Sequence, residues 1–155
     1  MDIIESGVKM KAFDSCPWLM HALGELGVSE LDGLDANPRI LEYLATCNFS
    51  TTEDETPWCA AFINWCLKRA GVVGTNRPNA KSYLDWGVKC DPRVGAIAVM
   101  DRGKELWMGH VEFVLQVNKA GTLFAIGGNQ GNAVTINTLL PANVLSFRYS
   151  KEYLI

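Results

Sequence analysis

A cysteine, a histidine and a pair of side-chain amides are the residues whose types and spacing could do chemistry in this chain. Cys59 follows Thr56-Pro57, a helix start signal, as the third residue of the helix that Pro57 opens. A thiol there lies near unpaired backbone N–H groups and the positive end of the helix dipole, which both stabilise a thiolate. We therefore interpret Cys59 as a candidate nucleophile. The alternative is a small buried hydrophobic residue, the usual fate of a free cysteine.

His110 is the candidate base. It follows Gly109 at the start of a predicted strand whose apolar residues alternate onto one face: Val111, Phe113, Leu115 and Val117. His110 therefore lies on the opposite face, at the edge of the strand, where it could project toward a helix terminus. A histidine in this place, downstream of a cysteine at a helix start, fits a nucleophile–base pair. The other histidine, His21, lies within an amphipathic helix and is interpreted as a surface or half-buried residue.

The run GGNQG (residues 127–131) ends the strand that is predicted to pair with the His110 strand. A histidine base usually needs a third group that fixes its tautomer. Asn129 is expected to accept a hydrogen bond from one imidazole nitrogen while the other nitrogen faces Cys59. Because the loop is flanked by glycines, it could also present Gln130 to His110 in place of Asn129. A further alternative is that this run is only a turn, since glycine and asparagine are common in turns.

Three more side chains are candidates for substrate binding. Trp58 precedes the candidate nucleophile, Trp107 lies three residues before the candidate base, and Gln130 follows the candidate orienting amide. For the two tryptophans, packing in the core is an equally good interpretation. Glu112 shares its strand face with His110 and could assist it, but we interpret Glu112 as a solvated strand residue.

The elements around these residues indicate an α+β fold. Helices are predicted in the first half, at residues 17–26, from Asn37-Pro38 onward, 57–70 and 80–86. Strands are predicted in the second half, at residues 96–100, 110–117, 122–126, 133–137 and 144–149. Helices followed by a meander of strands predict helices packed on an antiparallel sheet.

Length and composition indicate one globular domain over residues 1–155, of which residues 1–50 could form a helical N-terminal extension. The net charge of −3 comes without any block of basic residues, so nucleic acid and anionic membranes are not expected partners. The apolar runs are far shorter than the roughly 20 residues of a membrane span. The five cysteines are an odd number without a Cys-x-x-Cys pair, so neither a complete disulfide framework nor a metal site is expected.

Four blocks together resemble a known group of proteins: PWCAAF at residues 57–62, SYLDWG at 82–87, GHV at 109–111 and GGNQGN at 127–132. They are similar to cell-wall hydrolases of phages and bacteria related to the CHAP amidases and NlpC-type endopeptidases. The resemblance covers residues 16–150. It implies a papain-like fold, peptidoglycan as substrate, cleavage of an amide bond and no metal or organic cofactor. By position it makes Cys59 the nucleophile, His110 the base and Asn129 the orienting residue.

The chain departs from this group at two positions. CHAP enzymes often carry a glutamate two residues before the equivalent asparagine, where this chain has Gly127. Papain-like enzymes also use a glutamine upstream of the nucleophile to donate to the oxyanion, and at that spacing this chain has Glu53. An ionised glutamate cannot donate, so the backbone N–H of Cys59 is the one oxyanion donor that the sequence offers.

Two rival functions stay open at this point. One is a non-catalytic module on the same fold that binds the cell wall or interacts with a toxin. The other is a glycosidase, for which the acidic run at residues 53–55 offers carboxylates, although a helix start explains that run as well.

The first residues of the chain lack a basic segment followed by an apolar run, so synthesis in the cytoplasm without a signal peptide is expected. The protein would then reach the wall as a phage endolysin released by a holin, or as an antibacterial effector injected by a secretion system. An effector would also need a cognate immunity protein.

Overall fold

The protein is described by a computed structural model that covers residues 15–31, 36–48, 58–103 and 108–154. Three α-helices come first, followed by the strands of a sheet. The helices are α1 (Trp18–Leu23), α2 (Pro38–Leu44) and α3 (Cys59–Arg69), and the strands are β1 (Val88–Lys89), β2 (Ile97–Asp101), β3 (Gly109–Val117), β4 (Leu123–Gln130), β5 (Ala133–Leu139) and β6 (Ser146–Tyr149). Two short 3-10 helices span Ala80–Asp85 and Pro141–Asn143.

The six strands form one antiparallel sheet in the order β1-β6-β2-β3-β4-β5. Helix α3 packs on β3 and β4, and α1 and α2 both pack against α3. The predicted α+β arrangement, helices first and an antiparallel sheet afterwards, is therefore confirmed. The helix predicted over residues 80–86 is a 3-10 helix instead. Strand β1 was not predicted, because it is only two residues long and is defined by the pairing of these two residues with β6.

Local signals position the helix ends. Asn37 is the N-cap of α2, as predicted, and its side chain accepts a hydrogen bond from the backbone N–H of Arg39. Helix α3 ends at Arg69, just before Gly71, whose φ of 77° is the left-handed conformation expected after a helix. The start of α3 differs from the prediction: Cys59 is the first helical residue rather than the third, with Trp58 in the N-cap position.

Close contact between α3 and β4 fixes the start of this helix over the sheet. Gly128 of β4 lies against Trp58, and a Cβ atom at position 128 would come within 2.6 Å of the indole ring and 2.9 Å of Phe62 Cβ. Only a glycine allows the backbone of β4 to approach the helix this closely. The GGNQ run is therefore part of the core packing that positions Cys59, and not only a turn.

Among the described residues no helix combines the length and the apolar character that crossing a membrane requires.

Candidate active site

Cys59 lies almost fully buried at the start of α3, with 4% of its surface exposed. Burial raises the pKa of its thiol, and the Arg102 guanidinium and the backbone N–H of Val111 offset part of this effect. The backbone N–H groups of Cys59 and Ala60 at the helix start also lower this pKa, as expected, but desolvation outweighs all the favourable groups and the net shift is upward. The influence of Val111 places the sulfur beside the residue that follows His110.

His110 lies at the start of β3, and its two ring nitrogens have different neighbours. Nε2 is 2.7 Å from Oε1 of Gln130, and Nδ1 is 3.4 Å from a guanidinium nitrogen of Arg102. An amide oxygen can only accept and a guanidinium can only donate. The proton of the neutral ring therefore lies on Nε2, and Nδ1 carries the lone pair, which is the form that a general base needs.

The neutral form of His110 is also the stable one. Its pKa is lowered to about 4, chiefly by burial and in smaller part by the positive charge of Arg102, while the hydrogen bond to Gln130 acts in the opposite direction. Since a base must be unprotonated before it reacts, His110 is ready to accept a proton across the neutral pH range.

The side chain that holds His110 is Gln130 and not Asn129, which corrects the sequence-based expectation. The pairing of β4 with β5 shifts between Gly127 and Gln130, so that two residues of β4 oppose one of β5. Asn129 occupies this bulge with a φ of 58°. A bulge changes the direction in which the following side chain points. In this case it turns Gln130 toward His110, and the backbone oxygen of Asn129 instead accepts a hydrogen bond from Arg102.

Gln130 is held in place by Thr135 of β5. Its Nε2 donates to the backbone oxygen of Thr135 at 3.0 Å and to the hydroxyl of the same residue at 2.9 Å. These two acceptors fix which end of the amide is the nitrogen, so the oxygen must face His110. The tautomer of His110 is therefore set by a chain of hydrogen bonds that begins on β5.

We expect Gln130→Ala to reduce catalytic turnover by about 10- to 100-fold, because the imidazole loses the partner that fixes its tautomer and direction. The matched control is Asn129→Gly, which removes the neighbouring amide and keeps the positive φ of the bulge; it should retain near-normal turnover. Thermal melts of both variants check folding. Normal activity of Gln130→Ala together with an inactive Asn129→Gly would restore Asn129 as the orienting residue.

Arg102 is a site residue that the sequence analysis missed. It lies just after β2, is exposed, and acts on both Cys59 and His110, since its charge lowers the pKa of each. The fixed contact to Asn129, at 3.2 Å, keeps the guanidinium near the start of β3. No local motif marks this arginine, because its importance depends on the pairing of β2 with β3.

The proposed substrate-binding role of Trp58 is contradicted by its burial. Its surface is 0% exposed, and its ring packs 5.8 Å from that of Tyr43. Trp58 therefore belongs to the core beneath the site. Trp107, the other candidate, lies outside the described residues, as do Pro57 and Glu53.

Glu112 is not the solvated strand residue that the sequence suggested. It is 0% exposed, and one of its carboxylate oxygens lies 3.7 Å from Nε2 of His110. Burial raises its pKa to about 7, although the amides of Asn137 and Gln130 favour the charged form. Simple alternation predicted the correct face for Glu112 but could not show that this face is covered.

His110, Glu112 and Gln130 line a cleft of about 350 Å³, together with Asp101 and Arg102. Asp101 is paired with Lys81 at 2.6 Å. Within the part of the chain that the structure describes, no three histidine, cysteine or acidic side chains lie close enough to hold a metal ion. The arrangement offers a buried thiol that lies beside Val111 and a neutral imidazole on the preceding residue of β3.

The family model of the CHAP domain matches residues 51–129, about half of the chain, which includes Cys59, His110 and Asn129. No curated protein matches the chain. The chain therefore belongs to the CHAP domain family, whose members are generally cysteine peptidases or amidases that act on peptidoglycan.

Proposed function

We propose that this protein hydrolyses an amide bond of peptidoglycan, in the stem peptide or at its junction with the glycan. Cys59 is the nucleophile, His110 the general base and acid, and Gln130 the residue that orients His110. The observation that carries the proposal is the 2.7 Å hydrogen bond from His110 to Gln130, because it leaves the lone pair on Nδ1.

The first half of the reaction forms a thioester. Because burial raises the pKa of Cys59, its thiol is protonated in the free protein. Nδ1 of His110 takes this proton as the sulfur attacks the carbonyl carbon, and the backbone N–H of Cys59 donates to the developing oxyanion. His110 then gives the proton to the amide nitrogen, the C–N bond breaks and an amine leaves.

The second half restores the enzyme. Water attacks the thioester carbon while Nδ1 of His110 takes one of its protons, and the C–S bond breaks. The products are a carboxylic acid and the Cys59 thiolate, which recovers its proton from His110. Arg102 assists both halves, since its positive charge favours the thiolate.

We propose in addition that the helices and the sheet form one papain-like domain. Packing of α1 and α2 against α3, the helix that carries Cys59, supports the inclusion of the N-terminal helices in that domain. The site of action would be the cell wall, which an endolysin reaches through a holin and an antibacterial effector through a secretion system. An effector would be made together with an immunity protein.

The test is digestion of purified peptidoglycan by the purified protein, with the fragments identified by mass spectrometry. We expect new free amines without new reducing ends. New reducing sugars would instead identify a glycosidase, and binding to the wall without any released fragment would identify a non-catalytic module. Either of these two results contradicts the proposal. The Cys59→Ala variant shows how much release is due to contaminating hydrolases.

A further inference from the structure

Glu112 is a fully buried acid, and within the described residues no lysine or arginine forms a salt bridge with it. The described residues provide no hydrogen bond of normal geometry to either of its carboxylate oxygens. Burying a carboxyl group in this state is costly, so a fold without a use for it would be more stable with an apolar residue there. The nearest ionisable group is His110, whose Nε2 lies 3.7 Å away.

The neighbouring strand makes room for this side chain. Phe113 of β3 pairs with Ile126 of β4, so Glu112 faces Gly127 at the next position of the ladder. A Cβ atom on Gly127 would come within 2.7 Å of Cγ of Glu112. The φ of Gly127 is not positive, so its backbone conformation does not require glycine. The glycine is instead explained by the space that the glutamate occupies.

A negative charge in this position would stabilise the imidazolium form of His110. The proton that leaves Cys59 converts the imidazole into an imidazolium, a state that burial and Arg102 both disfavour. The charged groups on this side of the sheet are Arg102 and Asp101 at the end of β2, the latter paired with Lys81. Strands β4 and β5 contribute only the neutral amides of Gln130 and Asn137.

We infer that Glu112 is a positioning residue of this site, whose carboxylate acts through His110 to stabilise the imidazolium that forms when Cys59 gives up its proton. This inference rests on the proposed function, in which His110 is the base for Cys59. It adds to the Cys59–His110–Gln130 arrangement an acid that comes from the strand of His110 itself.

The inference predicts a pH dependence with a definite sign. Burial raises the pKa of Glu112 to about 7, so the group is neutral below that pH and charged above it. The charge that assists His110 is therefore present above about pH 7 and is lost as the pH falls through that value. Replacement by glutamine removes the charge at every pH and keeps the shape of the side chain.

The experiment compares the wild type with Glu112→Gln and measures the rate at which iodoacetamide alkylates Cys59 between pH 5.5 and 8.5. Tandem mass spectrometry that assigns the alkylated position separates Cys59 from the other four cysteines. We expect similar rates at pH 5.5 and alkylation at least about tenfold slower in Glu112→Gln at pH 8.5, where only the wild type carries the charge. Glu42→Gln, on the exposed surface of α2, is the matched control and should follow the wild type.

A second variant tests the charge apart from its place of attachment. In Glu112→Ala/Gly127→Glu the carboxylate is attached at position 127 of β4 instead of position 112 of β3. It is expected to occupy the space that the Glu112→Ala substitution opens. We expect the double variant to be faster than Glu112→Ala above pH 7. Equal rates of wild type and Glu112→Gln across the pH range, or a difference that is the same at every pH, would overturn the inference.

Alkylation needs no peptidoglycan, so it separates the two proposals. A protein that fails to release amines from peptidoglycan but shows the pH-dependent difference in alkylation would contradict the proposed function and keep the coupling of Glu112 to His110. A protein that releases amines equally well with glutamine at position 112 at every pH would keep the proposed function and contradict the role of Glu112.

Discussion

Replacing Cys59 with alanine is expected to reduce the release of amines from purified peptidoglycan by at least about 10³-fold and to leave the fold intact. In the proposed mechanism the covalent intermediate cannot form without the sulfur. The substitution removes one buried atom at the first residue of α3, where alanine is a good helix former. The measurement is fragment release by mass spectrometry, with a thermal melt to confirm folding.

Cys66→Ala is the matched control, because it makes the same chemical change two turns further along α3. Cys66 is fully buried, and burial raises its pKa well above the usual value, as expected for a thiol that only packs in the core. This variant should keep its activity and lose about 1–2 kcal/mol of unfolding free energy through the cavity it creates. Equal loss of activity in the two folded variants would contradict the assignment of Cys59 as nucleophile.

The parts of the site that sequence reasoning found are those with local signals. The Asn37-Pro38 start, the Gly71 stop and the alternation along β3 each depend on a few neighbouring residues. The placement of Cys59 at a helix start and of His110 at a strand start follows from the same kind of signal. The offset of two residues in the start of α3 is the usual imprecision of a helix boundary.

The parts that sequence reasoning missed depend on contacts between strands. Gln130 takes the position expected for Asn129 because the register of β4 against β5 shifts at this bulge, and a pattern along one strand cannot show a shift between two. Glu112 is buried because Gly127, which has no side chain, leaves space on β4 for the glutamate side chain. Arg102 lies near His110 only because β2, which ends just before it, pairs with β3. Each of these requires the assembled sheet.

The raised pKa of Cys59 has a similar origin. Sequence position correctly placed its thiol near backbone N–H groups, but it could not show that 96% of the residue's surface is covered. Desolvation then exceeds the stabilisation by N–H groups and Arg102, and the thiol stays protonated until a base takes its proton. In the proposed mechanism His110 is therefore needed for the attack itself, and not only for protonation of the leaving amine.

His110→Ala is therefore expected to be as inactive as Cys59→Ala, with a loss of at least about 10³-fold, and the double variant should be no worse than either single one. The two side chains act as one unit, so removing the second after the first has no further effect on the rate. Alkylation of Cys59 at pH 7.5 should also become slower in His110→Ala, since a protonated thiol with no base nearby is a poor nucleophile.

The control is His21→Ala, which removes the other histidine of the chain. His21 lies on α1, half-buried and away from the cleft, so this variant should retain turnover on purified peptidoglycan. Wild-type turnover should also survive EDTA, since neither step of the proposed reaction uses a metal ion. An inactive but folded His21→Ala would point to a different base. A double Cys59→Ala/His110→Ala variant that is much slower than both single variants would show that the two residues act independently, and the nucleophile–base pair would have to be abandoned.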